Sequence, residues 1–76
     1  MKFDYSKLIG RIIEKFGSRR AFAKAVGFSE NTISKKLSGK MTITTNDIVN
    51  WSQQEVLDIA DQDIPEYFFT VLVQVS

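Results

Sequence analysis

The stretch Phe22–Gly39, FAKAVGFSENTISKKLSG, contains two short runs with the spacing of α-helices, separated by a glycine. The first run carries its apolar residues on one face, and these are Phe22, Ala23 and Val26. Gly27 ends that run, and Ser29 is placed to cap a second helix in which Ile33 and Leu37 are four residues apart. Because only three residues connect the two helices, we expect them to cross steeply.

Three residues meet the mechanical needs of such a crossing. Ala23 is small enough for the point of closest approach, Gly27 admits a positive φ in the turn, and Ile33 can fill the space between the helices. The stretch resembles the helix-turn-helix of the Cro and repressor (XRE-type) family of phage regulators. MKFDYSKLIGRI at the front and LDIADQDIPEYFF near the end add to a likeness with small Cro-like switch proteins of temperate phages of Gram-positive bacteria.

A first helix is predicted ahead of this stretch, between a cap at Asp4 or Ser6 and a stop at Gly17. Its apolar residues recur at helical spacing and are Leu8, Ile9, Ile12, Ile13 and Phe16. Ser18 is then placed to cap the second helix.

Two further helices are predicted in the second half of the chain. The fourth begins at Thr44 or the next residue and carries an apolar series through Leu57, in which Trp51 is expected in the core. The fifth begins with a capping box at Asp63 and has Pro65 in its first turn. Its aromatic residues belong to the core or to a dimer seam, and they are Tyr67, Phe68 and Phe69.

The expected fold is therefore all-α, and the resemblance implies a compact five-helix bundle of the lambda-repressor-like DNA-binding type. The resemblance covers residues 1–69 as a helix-turn-helix domain and leaves 70–76, TVLVQVS, as a tail. The tail is uncharged and rich in β-branched residues, which predicts a short strand. Such a strand either pairs with Met41–Thr44 or with the same tail of a second subunit to build a two-fold homodimer, unless this terminus is disordered.

The resemblance implies that a third helix over residues 30–38 enters the major groove of an operator in double-stranded DNA. The base-contact candidates are Glu30, Asn31, Thr32, Ser34 and Lys35. Asn31 can pair with adenine and Lys35 can donate to guanine. Glu30 fits less well, because a carboxylate repels phosphates, and it serves equally as an acid that stabilises the first turn of the helix.

Phosphate contacts are expected from basic residues on and around the same two helices. The candidates are Arg19, Arg20, Lys24, Lys36 and Lys40. At Lys36 the family tends to have a small or apolar residue, so we expect its aliphatic stem to cover the core while the ammonium reaches outward.

Charge is distributed unevenly along the chain. Residues 1–40 hold all ten basic residues and three acids, a net charge of +7, whereas residues 41–76 hold six acids and no base. A basic half of this kind could face a polyanion, because screening acts over about 10 Å at moderate salt. The alternative is that the two halves neutralise each other within the fold or in a dimer.

Several classes of function are not expected. With 76 residues and no His or Cys, the chain has little room for an enclosed active site and lacks the usual general base and thiol nucleophile, so it is not expected to be an enzyme with a small-molecule substrate. The acids Asp58, Asp61 and Asp63 lack the glycine and spacing of a calcium loop, so neither a metal nor another cofactor is predicted. No apolar run approaches the length of a membrane span, and we expect a cytoplasmic protein of a bacterial host cell.

Two classes of function therefore remain. The first is a sequence-specific DNA-binding regulator, a Cro-like repressor in a lysis-lysogeny switch. The second is an antirepressor that binds the phage repressor protein through the helix-turn-helix surface and blocks its binding to DNA. Glu30 and the acidic second half of the chain favour the second class, because an acidic face suits a basic DNA-binding partner.

Overall fold

The computed structural model describes residues 3–71 and contains five α-helices and one 3₁₀ turn within that range. The helices are α1 (Ser6–Phe16), α2 (Arg19–Val26), α3 (Glu30–Leu37), α4 (Thr45–Ser52) and α5 (Ile64–Phe68), and the 3₁₀ turn is Asp61–Asp63. Strand structure in the described part is limited to an isolated antiparallel bridge. The predicted all-α fold with five helices is confirmed.

Local signals in the sequence set the ends of α2 and α3. The side chains of Ser18 and Ser29 each accept a hydrogen bond from the backbone N–H three residues later, at 3.1 Å in both cases. Gly17 and Gly27 follow α1 and α2 with φ of 81° and 83°, a conformation that residues with a Cβ rarely adopt. The predicted caps and stops at these four positions are confirmed, and they fix the short connection that sets α3 against α2.

Of the two caps predicted for α1, Asp4 and Ser6, the side chain of Asp4 accepts a hydrogen bond from the first turn of the helix. The N-cap position itself is Tyr5, whose side chain makes no cap bond, and Oδ1 of Asp4 accepts from the backbone N–H of Ser6 at 2.9 Å. Hydrogen bonds from Ser6 hold the pKa of the Asp4 carboxyl below its usual value. On the inward face of α1, Leu8 and Ile12 are fully buried.

The core is one cluster of buried hydrophobic residues drawn from all five helices and from the loop between α4 and α5. In the described part of the chain its members are Leu8, Ile12, Phe22, Ala23, Ile33, Leu37, Trp51, Leu57, Ile59 and Phe68. Trp51 is fully buried and packs edge-to-face on Phe22 with 5.1 Å between ring centroids. The predictions that Trp51 lies in the core and that Ala23 and Ile33 pack inward are confirmed.

The prediction that α4 continues to Leu57 is wrong, because the helix ends at Ser52. The chain then reverses: the N–H of Leu57 donates to the carbonyl of Trp51 at 3.0 Å, and Asp58 has a positive φ of 51°. Leu57 and Ile59 are buried from this loop. These two residues are apolar because the loop that carries them packs on the core. Helical spacing alone does not distinguish such a loop from another turn of helix.

The predicted capping box at the start of α5 is also wrong. Asp63 makes no side-chain cap bond, and its φ of −96° and ψ of −9° continue the preceding 3₁₀ turn, whereas a capping residue needs extended backbone. Pro65 does lie in the first turn, as predicted. Of the three aromatic residues, Phe68 is buried, Tyr67 is half-buried and Phe69 is exposed.

The two ends of the described chain meet at the isolated bridge, which pairs Phe3 with Val71. The backbone N–H of Asp4 donates a hydrogen bond to the carbonyl of Thr70 at 2.7 Å. One of our predictions paired the tail with Met41–Thr44. At Val71 the tail pairs with the N-terminal segment instead. The rest of the predicted strand, residues 72–76, lies outside the described residues.

Candidate functional site

The predicted base-contact residues lie along α3, and they differ in exposure. Glu30, Asn31 and Lys35 are exposed, whereas Thr32 and Ser34 are half-buried. The hydroxyl of Thr32 also accepts from the Oγ of the capping serine at 2.9 Å, which ties it to the turn. Glu30, Asn31 and Lys35 are therefore the side chains of α3 best placed to meet a partner.

Four of the five predicted phosphate-contact residues lie at least partly at the surface, on α2 or in the loop after α3. Arg20, Lys24 and Lys40 are exposed and Arg19 is half-buried. Within residues 3–71, none of the four forms an ion pair. Together with α3 they define the α2–α3 surface, whose exposed members are Arg20, Lys24, Glu30, Asn31, Lys35 and Lys40.

The fifth candidate, Lys36, does not reach outward as predicted. Its Nζ donates to Oδ2 of Asp47 at 2.6 Å and to the carbonyl of Thr42 at 3.0 Å, and it lies 5.2 Å from the ring centroid of Phe28. The residue is only 5% exposed. The ammonium compensates a buried carboxylate, so Lys36 is not available to a DNA phosphate in this structure.

Asp47 joins this ion pair to the start of α4. It forms a capping box with Thr44, in which the N–H of Asp47 donates to Oγ1 of Thr44 at 3.1 Å and the N–H of Thr44 donates to Oδ2 at 2.9 Å. Burial alone raises the pKa of this carboxyl, but the hydrogen bonds from Lys36 and Thr44 outweigh burial and lower it. The charged carboxylate therefore links the end of α3 to α4.

This ion pair was not predicted from the sequence. Lys36 was predicted to contact a DNA phosphate, and no acidic partner within the fold was predicted for it. The available signal was a lysine at a position where Cro-like regulators, which the stretch resembles, tend to have a small or apolar residue. An inward-facing lysine needs a buried acid as its partner.

Two basic residues of α1 contribute to the fold. Lys7 forms an ion pair with Glu66 of α5. Arg11 donates through Nε to the carbonyl of Leu57 at 2.8 Å and through Nη2 to the carbonyl of Asp58 at 2.9 Å. These contacts hold α1 against α5 and against the loop that follows α4, so they do not add to the α2–α3 surface.

Two kinds of feature, a group of metal-ligating side chains and a membrane-spanning helix, were sought among the described residues. Between residues 3 and 71, His, Cys, Asp and Glu form no group of three that could hold a metal ion. In the same range, no helix has both the length and the apolar character needed to cross a membrane.

Comparison with known proteins places the whole described chain in one family. Residues 1–71 match the family described as "Protein of unknown function (DUF739)". The chain belongs to the DUF739 family. Its structure is similar to the solution structure of the modulator of repression (MOR) of the temperate bacteriophage TP901-1 from Lactococcus lactis, with a TM-score of 0.77 and 46% sequence identity over 91% of this chain and 90% of that chain. No curated protein matches the chain.

In this DUF739 chain, the α2–α3 surface is mainly basic and the segment between α4 and α5 is acidic. The α2–α3 surface carries four exposed basic residues and one exposed acid. The segment between α4 and α5 carries exposed acids, which are Glu55, Asp58, Asp61 and Asp63. The charge separation seen along the sequence is therefore also a separation between elements of the fold.

Proposed function

We propose that this protein is a phage regulator that modulates repression by binding a phage repressor protein through the α2–α3 surface. The observation that carries the proposal is the similarity to a phage modulator of repression, with 46% identity over 91% of the chain. Repression by a DNA-binding repressor can be modulated at the repressor or at its operator. Binding to the repressor itself requires only a complementary protein surface.

The first turn of α3 supplies a feature that suits a repressor as partner. Glu30 is exposed there, beside Asn31, and makes no ion pair with the described residues. A carboxylate in this place repels DNA phosphates. The DNA-binding face of a repressor is cationic because it neutralises phosphates. On the otherwise basic α2–α3 surface, Glu30 supplies the one exposed carboxylate with which a cationic residue of that face can pair.

Binding at that face would relieve repression by mass action. A repressor whose DNA-binding face is covered cannot contact its operator, so each bound molecule is removed from the pool that represses. When the free regulator is at about 100 times its Kd, the apparent binding free energy of the repressor for its operator is weakened by about 2.7 kcal/mol. We place this action in the cytoplasm of a bacterial host, where the operator and the repressor meet.

Reversing the charge of Glu30 tests the proposed surface. We expect Glu30→Lys to weaken binding to the purified phage repressor by about tenfold or more, which is at least ~1.4 kcal/mol. Isothermal titration calorimetry measures the affinity. Glu55→Lys makes the same change in the loop after α4 and should leave the affinity close to that of the wild type. The opposite pattern, with only Glu55→Lys weakening the complex, would assign the interaction to the acidic loop.

A second candidate function is sequence-specific binding of operator DNA as a Cro-like repressor, with α2 and α3 as a helix-turn-helix. The exposure of Asn31 and Lys35 on α3 favours it, because both can contact base edges. In this case Asn31→Ala or Lys35→Ala costs about 1–3 kcal/mol at particular base pairs. Arg19→Ala weakens binding to all sequences alike. A homodimer with two copies of α3 about 34 Å apart would match one turn of a palindromic operator.

The two candidates predict opposite effects of one substitution. Glu30→Lys weakens binding to a cationic repressor, but it strengthens binding to DNA because it replaces a repelled charge with an attracted one. Affinity for an operator should also fall steeply with salt, with a slope of about −0.9 for each phosphate that is neutralised. Fluorescence anisotropy with a labelled operator, at several salt concentrations, measures the effect of Glu30→Lys on DNA affinity and the salt dependence of that affinity.

A further inference from the structure

An apolar groove of about 680 Å³ lies between the N-terminal segment, the loop after α3, α4 and the end of α5. Among its described lining residues only Lys40 is charged. The apolar lining includes Phe3, Met41, Ile43, Ile48, Phe68 and Phe69, of which the first two and the last are exposed. Exposed aromatic residues and methionine around a groove are typical of the core of a protein–protein interface. A lining of this kind suits apolar side chains of a partner.

Hydrogen bonds fix the loop that forms one wall of the groove. The backbone N–H groups of Lys40 and Met41 donate to the carbonyl of Lys35 at 2.9 and 3.1 Å. The carbonyl of Thr42 accepts from Nζ of Lys36 at 3.0 Å. Because α3 holds the loop through these bonds, the groove is formed before a partner arrives, and binding costs little ordering of the loop.

The groove adjoins the α2–α3 surface. Ser38, Gly39 and Lys40 line it and follow directly on α3, and Lys40 belongs to both. The eight residues of α3 make a helix about 12 Å long, with Glu30 at its other end. A standard interface covers about 800 Å² on each partner, so one partner can contact Glu30 and the groove at the same time.

Charge alone does not explain how this surface would bind a repressor. The α2–α3 surface has four exposed basic residues and one exposed acid, and the DNA-binding face of a repressor is cationic. Glu30 can fix the orientation through one ion pair, but the remaining like charges oppose the contact. Apolar burial is the dominant favourable term in most protein–protein association. The groove offers an apolar surface directly beside these charges.

We propose that apolar side chains of the phage repressor occupy this groove when the repressor binds the α2–α3 surface. The proposal rests on the proposed function, because it names a second contact with the same partner. In this arrangement the groove is the apolar part of the interface and supplies most of the affinity. Glu30 and the basic residues of α2 and α3 are its polar part, which selects the partner and its orientation.

Two neutral double variants test the groove. Met41→Gln/Phe69→Gln makes two lining residues polar without changing the net charge, and these side chains are 40% and 48% exposed, so the core is left intact. Ile13→Gln/Val49→Gln makes the same change on α1 and α4 at residues that are 45% and 57% exposed and do not line the groove. In calorimetric titrations with the purified phage repressor, we expect the groove variant to bind about tenfold or more weakly than the wild type. The control variant should stay within about twofold.

The outcomes separate this proposal from the proposed function. If Glu30→Lys weakens binding but Met41→Gln/Phe69→Gln does not, the groove is overturned as a contact and the proposed function stands. Equal losses in the two double variants would also overturn the groove, because the effect would not be specific to it. Failure of the wild-type protein to bind the repressor would overturn both proposals.

Methyl NMR gives a measurement that needs no substitution. With the full chain perdeuterated and the methyl group of Met41 protonated, we expect its resonance to lose intensity when the protons of the bound repressor are saturated. An unchanged Met41 resonance in that complex would overturn the proposal. Contacts of this methyl group with a second copy or with another segment of this chain that persist in the complex would overturn it as well, because they would show a different occupant.

Discussion

Lys36 and Asp47 form an ion pair in which both side chains are almost excluded from water, at 6% and 8% exposure. Burying two charges costs solvation energy, and the pair recovers it only through good geometry and further hydrogen bonds. Those bonds are present here, to Thr42 and Thr44. The pair therefore stabilises the passage from α3 to α4, and removing one partner leaves an uncompensated charge in the core.

Removing the ammonium alone should be costly. We expect Lys36→Met to lower the free energy of unfolding by about 3 kcal/mol, because it leaves the carboxylate of Asp47 buried and unpaired. The neighbouring substitution Lys35→Met changes an exposed lysine and should stay within about 0.5 kcal/mol of the wild type. Urea denaturation measures both. Similar losses for the two variants would contradict a structural role for the buried pair.

The lowered pKa of Asp47 predicts how stability depends on pH. Its pKa in the folded protein lies below that in the unfolded chain, about 3.9, so its stabilising contribution is complete above that pH and is lost as the pH falls through the folded-state pKa. Asp47→Asn removes this part of the acid sensitivity, although it also lowers stability at neutral pH. Unfolding free energies measured below about pH 4 should therefore vary less steeply with pH in Asp47→Asn than in the wild type. An equally steep pH dependence in Asp47→Asn and in the wild type would contradict this role of the Asp47 carboxylate.

At the scale of single elements, the sequence predicted what local interactions decide. Ser18, Ser29 and Gly27 act within three or four residues of their own position, and the structure confirms each of them. The end of α4 depends on Leu57, which packs on the core from a loop, so a sequence pattern could not separate it from a helical residue. The outward orientation predicted for Lys36 was wrong for a similar reason. Helical spacing does not show that Asp47, a residue of another helix, contacts its ammonium.

Glycine substitutions test the connection between α2 and α3. Gly27 has a φ of 83°, so Gly27→Ala forces a strained backbone and should destabilise the protein by about 1 kcal/mol. Gly10 lies inside α1, where an added Cβ meets nothing within 4 Å. Gly10→Ala should therefore stabilise the protein by about 0.5–1 kcal/mol through helix propensity. Thermal unfolding of the two variants checks this, and shifts of the same sign would contradict the account of the turn.

On the scale of the whole molecule, the sequence predicted the separation of charge, and the structure shows which elements carry it. Two of the three basic residues of α1, Lys7 and Arg11, are engaged with α5 and with the loop after α4. The exposed cations of the α2–α3 surface belong to α2, α3 and the following loop. The resemblance to phage regulators predicted the class of protein, and similarity to a phage modulator of repression supports a regulatory role. The proposed choice of a protein partner rests on Glu30, the one exposed acid beside four exposed basic residues on the α2–α3 surface.

A gel shift in which the protein is titrated into a preformed complex of the phage repressor with its operator tests the proposed function most directly. We predict that the operator is released as free DNA as the protein concentration rises, and that the protein alone does not shift the operator at the same concentrations. The account is contradicted if the protein alone shifts the operator, with an affinity that falls steeply with salt, while the repressor stays bound to its site.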